Sequence, residues 1–264
     1  MILLPPSEGK TDATGKQKMD FKKLSFPELN NQRQELVSAV IAMANGPAAK
    51  TRSILSISAK QDFEIERDQK LLTAPIGSAW SVYTGVLYDA IDIESLSAKA
   101  KSKFEAENFV VSALFGLINV TDRIPAYRLS GDTVVPKIGS LTKFWSQSVS
   151  QLISDQGEFV IDLRSGNYVK LGPIAPAIAE QVVVPRIMQK MPKGSPKVVS
   201  HSNKATKGRL VRELAQSSKS VRGVDQLAGL AAKVALDVGN QTKKGRATLG
   251  SRCNCGSSLV NLFH

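Results

Sequence analysis

Short apolar runs recur along this chain, and segments with helical spacing fill the gaps between them without any repeating unit. Residues 2–4, 109–114, 159–163, 181–184, 197–200 and 259–263 read as strands, and 80–83 as a further strand before Thr84-Gly85. Residues 28–43, 60–72, 91–106, 141–153, 205–215 and 227–236 read as helices. The clearest is 141–153, where apolar residues at 141, 144, 145, 149, 152 and 153 share one helical face. Strands alternating with helices define the fold class as α/β: a central mixed sheet flanked by helices. With 264 residues, of which 42% are hydrophobic, the chain can bury the core of one compact domain over 1–264.

Prolines and glycines punctuate this pattern. Pro5-Pro6 ends the first strand by removing two ladder donors. Residues 11–24 are polar and Lys-rich, which suits an exposed loop, and Asn45-Gly46-Pro47 closes the first helix. Pro75-Ile76-Gly77 breaks the chain again, 116–128 reads as irregular around Pro125, and 174–179 reads as a turn.

The net charge of +12 sits entirely in the last third. From Arg186 to His264 there are 15 Lys/Arg against 3 Asp/Glu, whereas residues 1–185 hold 20 of each sign. Such an asymmetry suits an anionic partner. Scarce aromatics, 6% of the chain, argue against a single-strand binder built on stacking platforms. Cys253 and Cys255 are the only cysteines, too few for a disulfide framework, and with His201 and His264 distant they make a poor zinc site. No metal and no cofactor are therefore expected. No secretory leader or membrane-length apolar run is visible, so the expectation is a soluble cytoplasmic protein with no membrane partner.

Four segments carry candidate chemistry. Gly9-Lys10-Thr11 mimics the end of a phosphate-binding loop, but Leu4 stands where that motif needs its first glycine, and Pro5 and Pro6 have no N–H to wrap a phosphate. What remains is Ser7-Glu8-Gly9-Lys10 just past a strand end, a usual place for ligand loops in α/β proteins, with Ser7 and Lys10 also at a nucleophile–base spacing. Tyr83-Thr84-Gly85 offers two hydroxyls at another element end, or simply a turn. Ser112 leads into Leu114-Phe115-Gly116-Leu117, a weak match to the turn of a helix–hairpin–helix element, with Ala113 where a first glycine would stand. Beyond it, Tyr127-Arg128 follows Pro125 and sets a phenol beside a guanidinium. Finally, Lys204, Lys207, Arg209 and Arg212 fall at the start of an expected helix that Ser202 or Asn203 would cap, where backbone N–H groups and cations together favour phosphate.

In their order and spacing these segments resemble the YaaA family of peroxide stress proteins, in its actinobacterial branch. The resemblance rests on Ile2 through Thr11, on Val82-Tyr83-Thr84-Gly85, and on Ser112 through Gly116 with Pro125-Ala126-Tyr127-Arg128. It continues through Phe144-Trp145, Val160-Ile161-Asp162-Leu163, Tyr168, Ser200, Lys204, Lys207-Gly208 and Arg212. It implies a compact single α/β domain, a cytosolic role in surviving hydrogen peroxide, and DNA binding through a basic cleft with a helix–hairpin–helix-like element. The tail from about 240 departs from the family pattern.

Two functional expectations follow. The first is a protein that holds double-stranded DNA with little sequence specificity through Lys10, Arg128, Lys204, Lys207, Arg209 and Arg212. The second is an enzyme acting on a nucleotide, nucleobase or other phosphorylated small molecule in a pocket built from Ser7, Lys10, Tyr127, Arg128, Lys204 and Lys207, with Tyr83, Thr84, Ser112 and Gly116 nearby and Ser7, Lys10 or Tyr127 as the catalytic group.

Overall fold

The computed structural model describes residues 1–156, 159–189, 200–233, 236–243, 246–255 and 258–263, with side chains described for 1–156, 159–185 and 204–231. The fold is mixed α/β. Strand β1 (Ile2–Leu4) is followed by helices α1 (Asn30–Ala44), α2 (Ala48–Leu55) and α3 (Asp62–Gln69). The short strand β2 (Gly77–Ser78) leads to α4 (Ala79–Val82), α5 (Val86–Ile91) and α6 (Ala98–Glu107), then to the hairpin β3 (Asn108–Ser112) and β4 (Gly116–Asn119). Short strands β5 (Arg123–Ile124), β6 (Val134–Val135) and β7 (Gly139–Ser140) precede α7 (Leu141–Asp155), β8 (Val160–Asp162) and α8 (Asn167–Lys170). The chain continues with β9 (Val182–Gln189), α9 (Ser200–Gln216), α10 (Val224–Lys233), β10 (Leu236–Lys243), β11 (Arg246–Cys255) and β12 (Ser258–Phe263).

The centre of the sheet runs β9-β8-β1-β3-β4, and β12, β11 and β10 extend it beyond β9. The pairs β8–β9, β1–β8 and β1–β3 are parallel, whereas β3–β4 is antiparallel. β1 lies between two strands, and all of Ile2, Leu3 and Leu4 are buried. A continuous apolar run is what a strand covered on both faces requires. Four parallel carboxyl ends, those of β9, β8, β1 and β3, thus point the same way. Loops at that end are where open α/β sheets place ligands.

Several elements differ from the sequence reading. Of residues 80–83, the first three belong to a helical turn rather than a strand and only Tyr83 is extended: Ala79 and Val82, three apart, are both buried, which is helical spacing. The single helix expected over 91–106 is two elements, because Asp92 adopts a left-handed conformation (φ 50°) and the Ser97 hydroxyl caps α6 by accepting from Ala100 N. The stretch 116–128 is not irregular throughout, since it contains β4 and β5. Helix α9 begins at Ser200, so Ser202 and Asn203 lie inside it and Lys204 and Lys207 lie past its first turn. The strand expected over 197–200 falls mostly outside the described residues, and Ser200 itself is helical. The side chains of Cys253, Cys255, His201 and His264 also lie outside the described set.

Candidate functional site at the strand ends

Chain geometry after β1 puts Lys10 into the protein interior. Pro5-Pro6 stops the strand, and the chain returns antiparallel to the end of α4: Thr84 N donates to Gly9 O at 3.2 Å, Thr11 N donates to Val82 O at 2.9 Å, and Lys10 and Tyr83 pair as a bridge. The approach is close enough that a Cβ on Gly9 would lie 3.0 Å from Thr84 Oγ1. Gly85, with φ +100°, turns the chain into α5, and Tyr88 of that helix donates to Pro5 O at 2.9 Å.

Lys10 is 8% exposed. Its Nζ donates to the carbonyl oxygens of Ser7 at 2.8 Å and Glu8 at 3.4 Å, and it lies 4.1 Å from the Tyr127 ring centroid and 5.6 Å from that of Tyr83. The bond to Ser7 goes to its backbone oxygen, so the nucleophile–base pairing suggested by spacing is not what holds Lys10. Among the described residues Lys10 forms no ion pair. Burial pushes its amine down to about 8, an effect that the Arg128 charge adds to and that Glu8, Glu64 and Asp68 oppose.

Beneath Lys10 three hydroxyls connect. Ser112 Oγ, at the end of β3, is 2.8 Å from Tyr127 Oη, which is 2.9 Å from Tyr83 Oη. Burial holds all these phenols protonated, Tyr83 being pushed up to about 12 and Tyr127 well above its ordinary value. The Phe115 ring stands edge-on to Tyr127, 5.5 Å between centroids, and fixes its plane. The adjoining turn is buried: Ala113, Leu114 and Phe115 are fully covered, and the N–H groups of Leu114 and Phe115 donate to Ser112 Oγ. Those donors are spent internally. Gly116 opens β4 at φ +66° against the Trp145 ring, and the turn lies between two strands.

Around this floor stand charged groups. Arg128 Nη1 pairs with Glu8 Oε2 at 3.1 Å, and Tyr168 Oη donates to Glu8 Oε1 at 2.8 Å. Asp68 on α3 is fully buried; its Oδ1 accepts from Arg128 N at 2.8 Å, and its Oδ2 has no hydrogen-bond partner among the described residues. Arg128 Nε is likewise buried without a hydrogen-bond partner among the described residues. Burial raises the Asp68 carboxyl to about 8, although the Arg128 N–H and the Lys10 charge pull the other way. An amine and a carboxyl, drawn toward the same pH from opposite sides, therefore share one buried neighbourhood. Asp68 and Glu64 both lie on α3, within the helix read over 60–72, and both are buried. Their spacing of four residues, which puts both on one side, was the signal available in the sequence.

The basic group on α9 is divided. Lys207 is buried, and its Nζ donates to Leu163 O at 2.8 Å and Arg164 O at 3.4 Å, just past the end of β8. Burial lowers its amine to about 8 against the pull of Asp162. Arg212 donates to the carbonyls of Ile91 and Asp92, each at 2.7 Å, and so closes the C-terminus of α5. Lys204 and Arg209 alone of the four are exposed. Gly208 lets α9 reach α5, since a Cβ there would lie 2.3 Å from Leu87 O. Ser7 and Thr84 are half-buried beside the Lys10 loop.

An open cleft of about 420 Å³ lies nearby, lined among others by Asp12, Phe63, Arg67, Thr73 and Ala126. None of Lys10, Asp68, Tyr83 or Tyr127 lines it, so the perturbed groups mark the buried cluster rather than this cleft as the chemical centre. Among the described residues no group of three or more His, Cys, Asp or Glu gathers as a metal would require, and no helix is long and apolar enough to cross a membrane.

These features define a mixed α/β protein with a buried lysine–tyrosine–serine cluster at the carboxyl ends of its parallel strands. The chain belongs to the YaaA family: the model of the peroxide stress protein YaaA matches residues 1–233. It is 41% identical to a UPF0246 protein of Corynebacterium glutamicum over 242 residues, 90% of this chain and 94% of the relative. It is 34% identical to a UPF0246 protein of Streptomyces coelicolor over 229 residues, 86% and 87% of the two chains. An uncharacterized protein of Campylobacter jejuni is 27% identical over 175 residues, 64% of this chain and 69% of that one.

Proposed function

We propose that this chain is a cytoplasmic enzyme of the peroxide stress response that transforms a small nucleotide, nucleobase or other phosphorylated molecule at the Lys10 cluster. The observation that carries this reading is Lys10 itself, a buried amine lowered to about 8 with no ion-pair partner among the described residues, set over the Tyr127 ring. A group with that value is about one-tenth neutral at pH 7, so it can take a proton and return it near the working pH. Asp68, raised to about 8, is the complementary acid. Arg128 and Tyr168 hold Glu8 at the rim and so fix the loop that carries Lys10. The test is incubation of the protein with nucleobases, nucleosides, nucleotides and sugar phosphates, with product detection by mass. A Lys10→Met variant should lose at least two orders of magnitude in rate, the usual contribution of a positioned acid–base group. Turnover by Lys10→Met at the wild-type rate would sink the reading.

A second reading, non-specific binding of double-stranded DNA, is favoured by the exposure of Lys204 and Arg209 in the third of the chain that carries the net charge. On this reading affinity falls steeply with salt, and Lys204→Ala and Arg209→Ala each reduce the salt slope by about 1. Absence of binding at low salt would end it.

A further inference from the structure

The open cleft of about 420 Å³ falls within the roughly 300–1,000 Å³ usual for small-molecule sites. Its walls come in part from the same three segments that build the Lys10 cluster. Asp12 and Ala13 follow Lys10 closely, Arg67 adjoins Asp68, and Ala126 adjoins Tyr127. Two residues of extended chain span at most about 7 Å, so the cleft borders the segments that carry the chemical centre. Phe63 is the largest apolar group lining it, and 49% of that residue is exposed. Arg67, one turn later on α3, sets its guanidinium carbon 5.1 Å from the centre of the Phe63 ring. This guanidinium is held in place. Its Nε and Nη2 donate to the two Asp12 carboxylate oxygens, each at 2.8 Å, and its Nη1 donates to Glu64 Oε2 at 3.1 Å. An arginine fixed by three bonds has already given up the rotamer freedom that a ligand would otherwise have to remove. Phe63 and Arg67 therefore form a pre-ordered platform of two flat groups. The other apolar lining is small, namely Ala13, Ala74, Pro75 and Ala126, and leaves the space of the cleft unfilled.

We propose that this cleft binds the nucleobase of the substrate, stacked against the Phe63–Arg67 platform, and that Asp12 is a positioning residue that holds the plane of Arg67. Charge argues against a free anion as the occupant. Asp12 and Glu66 balance Arg67 and Lys70 around the cleft, and the Arg67 charge is already paired with Asp12 and Glu64. The polar lining instead suits the edge of a heteroaromatic ring. The Glu66 carboxylate can only accept hydrogen bonds and the Lys70 ammonium can only donate them, so a ring that carries donors and acceptors along its edge meets both. A hydrocarbon ring meets neither. Nucleobases combine such an edge with a face that stacks on phenyl and guanidinium planes alike. The inference narrows the substrate class to molecules that carry a nucleobase, and it rests on the reading of the Lys10 cluster as an enzyme's centre.

The test is calorimetric titration of the full chain with adenosine, guanosine, cytidine and uridine and, separately, with inorganic phosphate. At least one nucleoside should bind saturably and more tightly than phosphate. Phe63→Leu keeps an apolar side chain but removes the ring, and should weaken binding of that nucleoside about tenfold, within the range of ring-stacking contributions. Phe63→Trp keeps a flat ring and should bind within about threefold of the wild type. Asp12→Ala frees the Arg67 guanidinium on one side and should weaken binding about threefold. A merely structural role for Phe63 would not set leucine apart from tryptophan in this way. Binding of no nucleoside, tighter binding of phosphate, or wild-type affinity in Phe63→Leu would overturn the inference. Product formation separates it from the acid–base reading. Nucleoside binding as expected, with equal turnover by the wild type and Lys10→Met, leaves the cleft standing and removes that reading. Loss of turnover in Lys10→Met, together with wild-type affinity in Phe63→Leu, does the reverse.

Discussion

Replacing Lys10 by Met should remove a specific piece of the protein's pH dependence. Methionine keeps an unbranched stem and a contact with the Tyr127 ring while deleting the charge. In the folded protein the Lys10 amine sits at about 8, against 10.5 for the same group in water. The depressed value means that the charged form is disfavoured by folding. Between those two pH values the unfolded chain binds more protons than the folded one, so stability rises with pH across that window and is lowest, as far as Lys10 is concerned, below pH 8. Integrating the two titrations gives a gain of about 2.5 kcal/mol for the wild type between pH 7 and pH 10. Lys207, lowered to about 8 for the same reason, contributes with the same sign but is common to both proteins and cancels in the difference. Loss of the Lys10 charge also raises the Asp68 carboxyl further, which lowers the stability of the variant above pH 8 and enlarges the difference. The assay is urea unfolding of both proteins at pH 7 and pH 10. The wild type should gain about 2.5 kcal/mol or more relative to Lys10→Met, a difference far outside the few tenths expected of an exposed lysine. Parallel stability curves would mean that Lys10 is solvated as an ordinary surface lysine, and the reasoning would fail.

Two further outcomes test the supporting structure. Gly208→Ala should destabilise the protein by about 1–3 kcal/mol in urea unfolding, because its Cβ would lie 2.3 Å from Leu87 O and 2.7 Å from Ala90 Cβ and drive α9 from α5. Asp162→Asn should cost about 3–5 kcal/mol, since it leaves the fully buried Arg164 guanidinium without the carboxylate that now stands 2.7 Å away. The same change should lower the Lys207 amine below about 8, measurable by its NMR titration, because Asp162 is the charge that now supports it.

The main elements were legible because each follows from local pattern. Ile2–Leu4 reads as a doubly covered strand from three apolar residues and two prolines, and α7 reads as a helix from its apolar face. Residues 80–83 misled because Trp, Val and Tyr favour strands in isolation, whereas here Ala79 N and Trp80 N are claimed by the carbonyls of Asp122 and Val120. The fate of the basic cluster was not legible at all. Charge spacing marks Lys204, Lys207, Arg209 and Arg212 alike, but Lys207 and Arg212 turn inward to carbonyls from distant segments of the chain, contacts that no local pattern encodes. Ser7, Lys10, Tyr83, Ser112, Tyr127 and Arg128 could be named one by one. Their assembly depends on the parallel order of β8, β1 and β3, which brings those loops to one end of the sheet. Asp68 escaped notice because a carboxylate in a charged helix is ordinarily solvated. Only the packing of α3 shows it to be fully buried.

The most direct test of the account is the titration of Lys10 itself, followed by NMR of protein carrying ¹³C-labelled lysine, with Lys10→Met used to assign its signal. A midpoint near pH 8 is expected if the amine is buried over Tyr127 as the working group of the site. A midpoint near 10.5, the value of the same group in water, would contradict it.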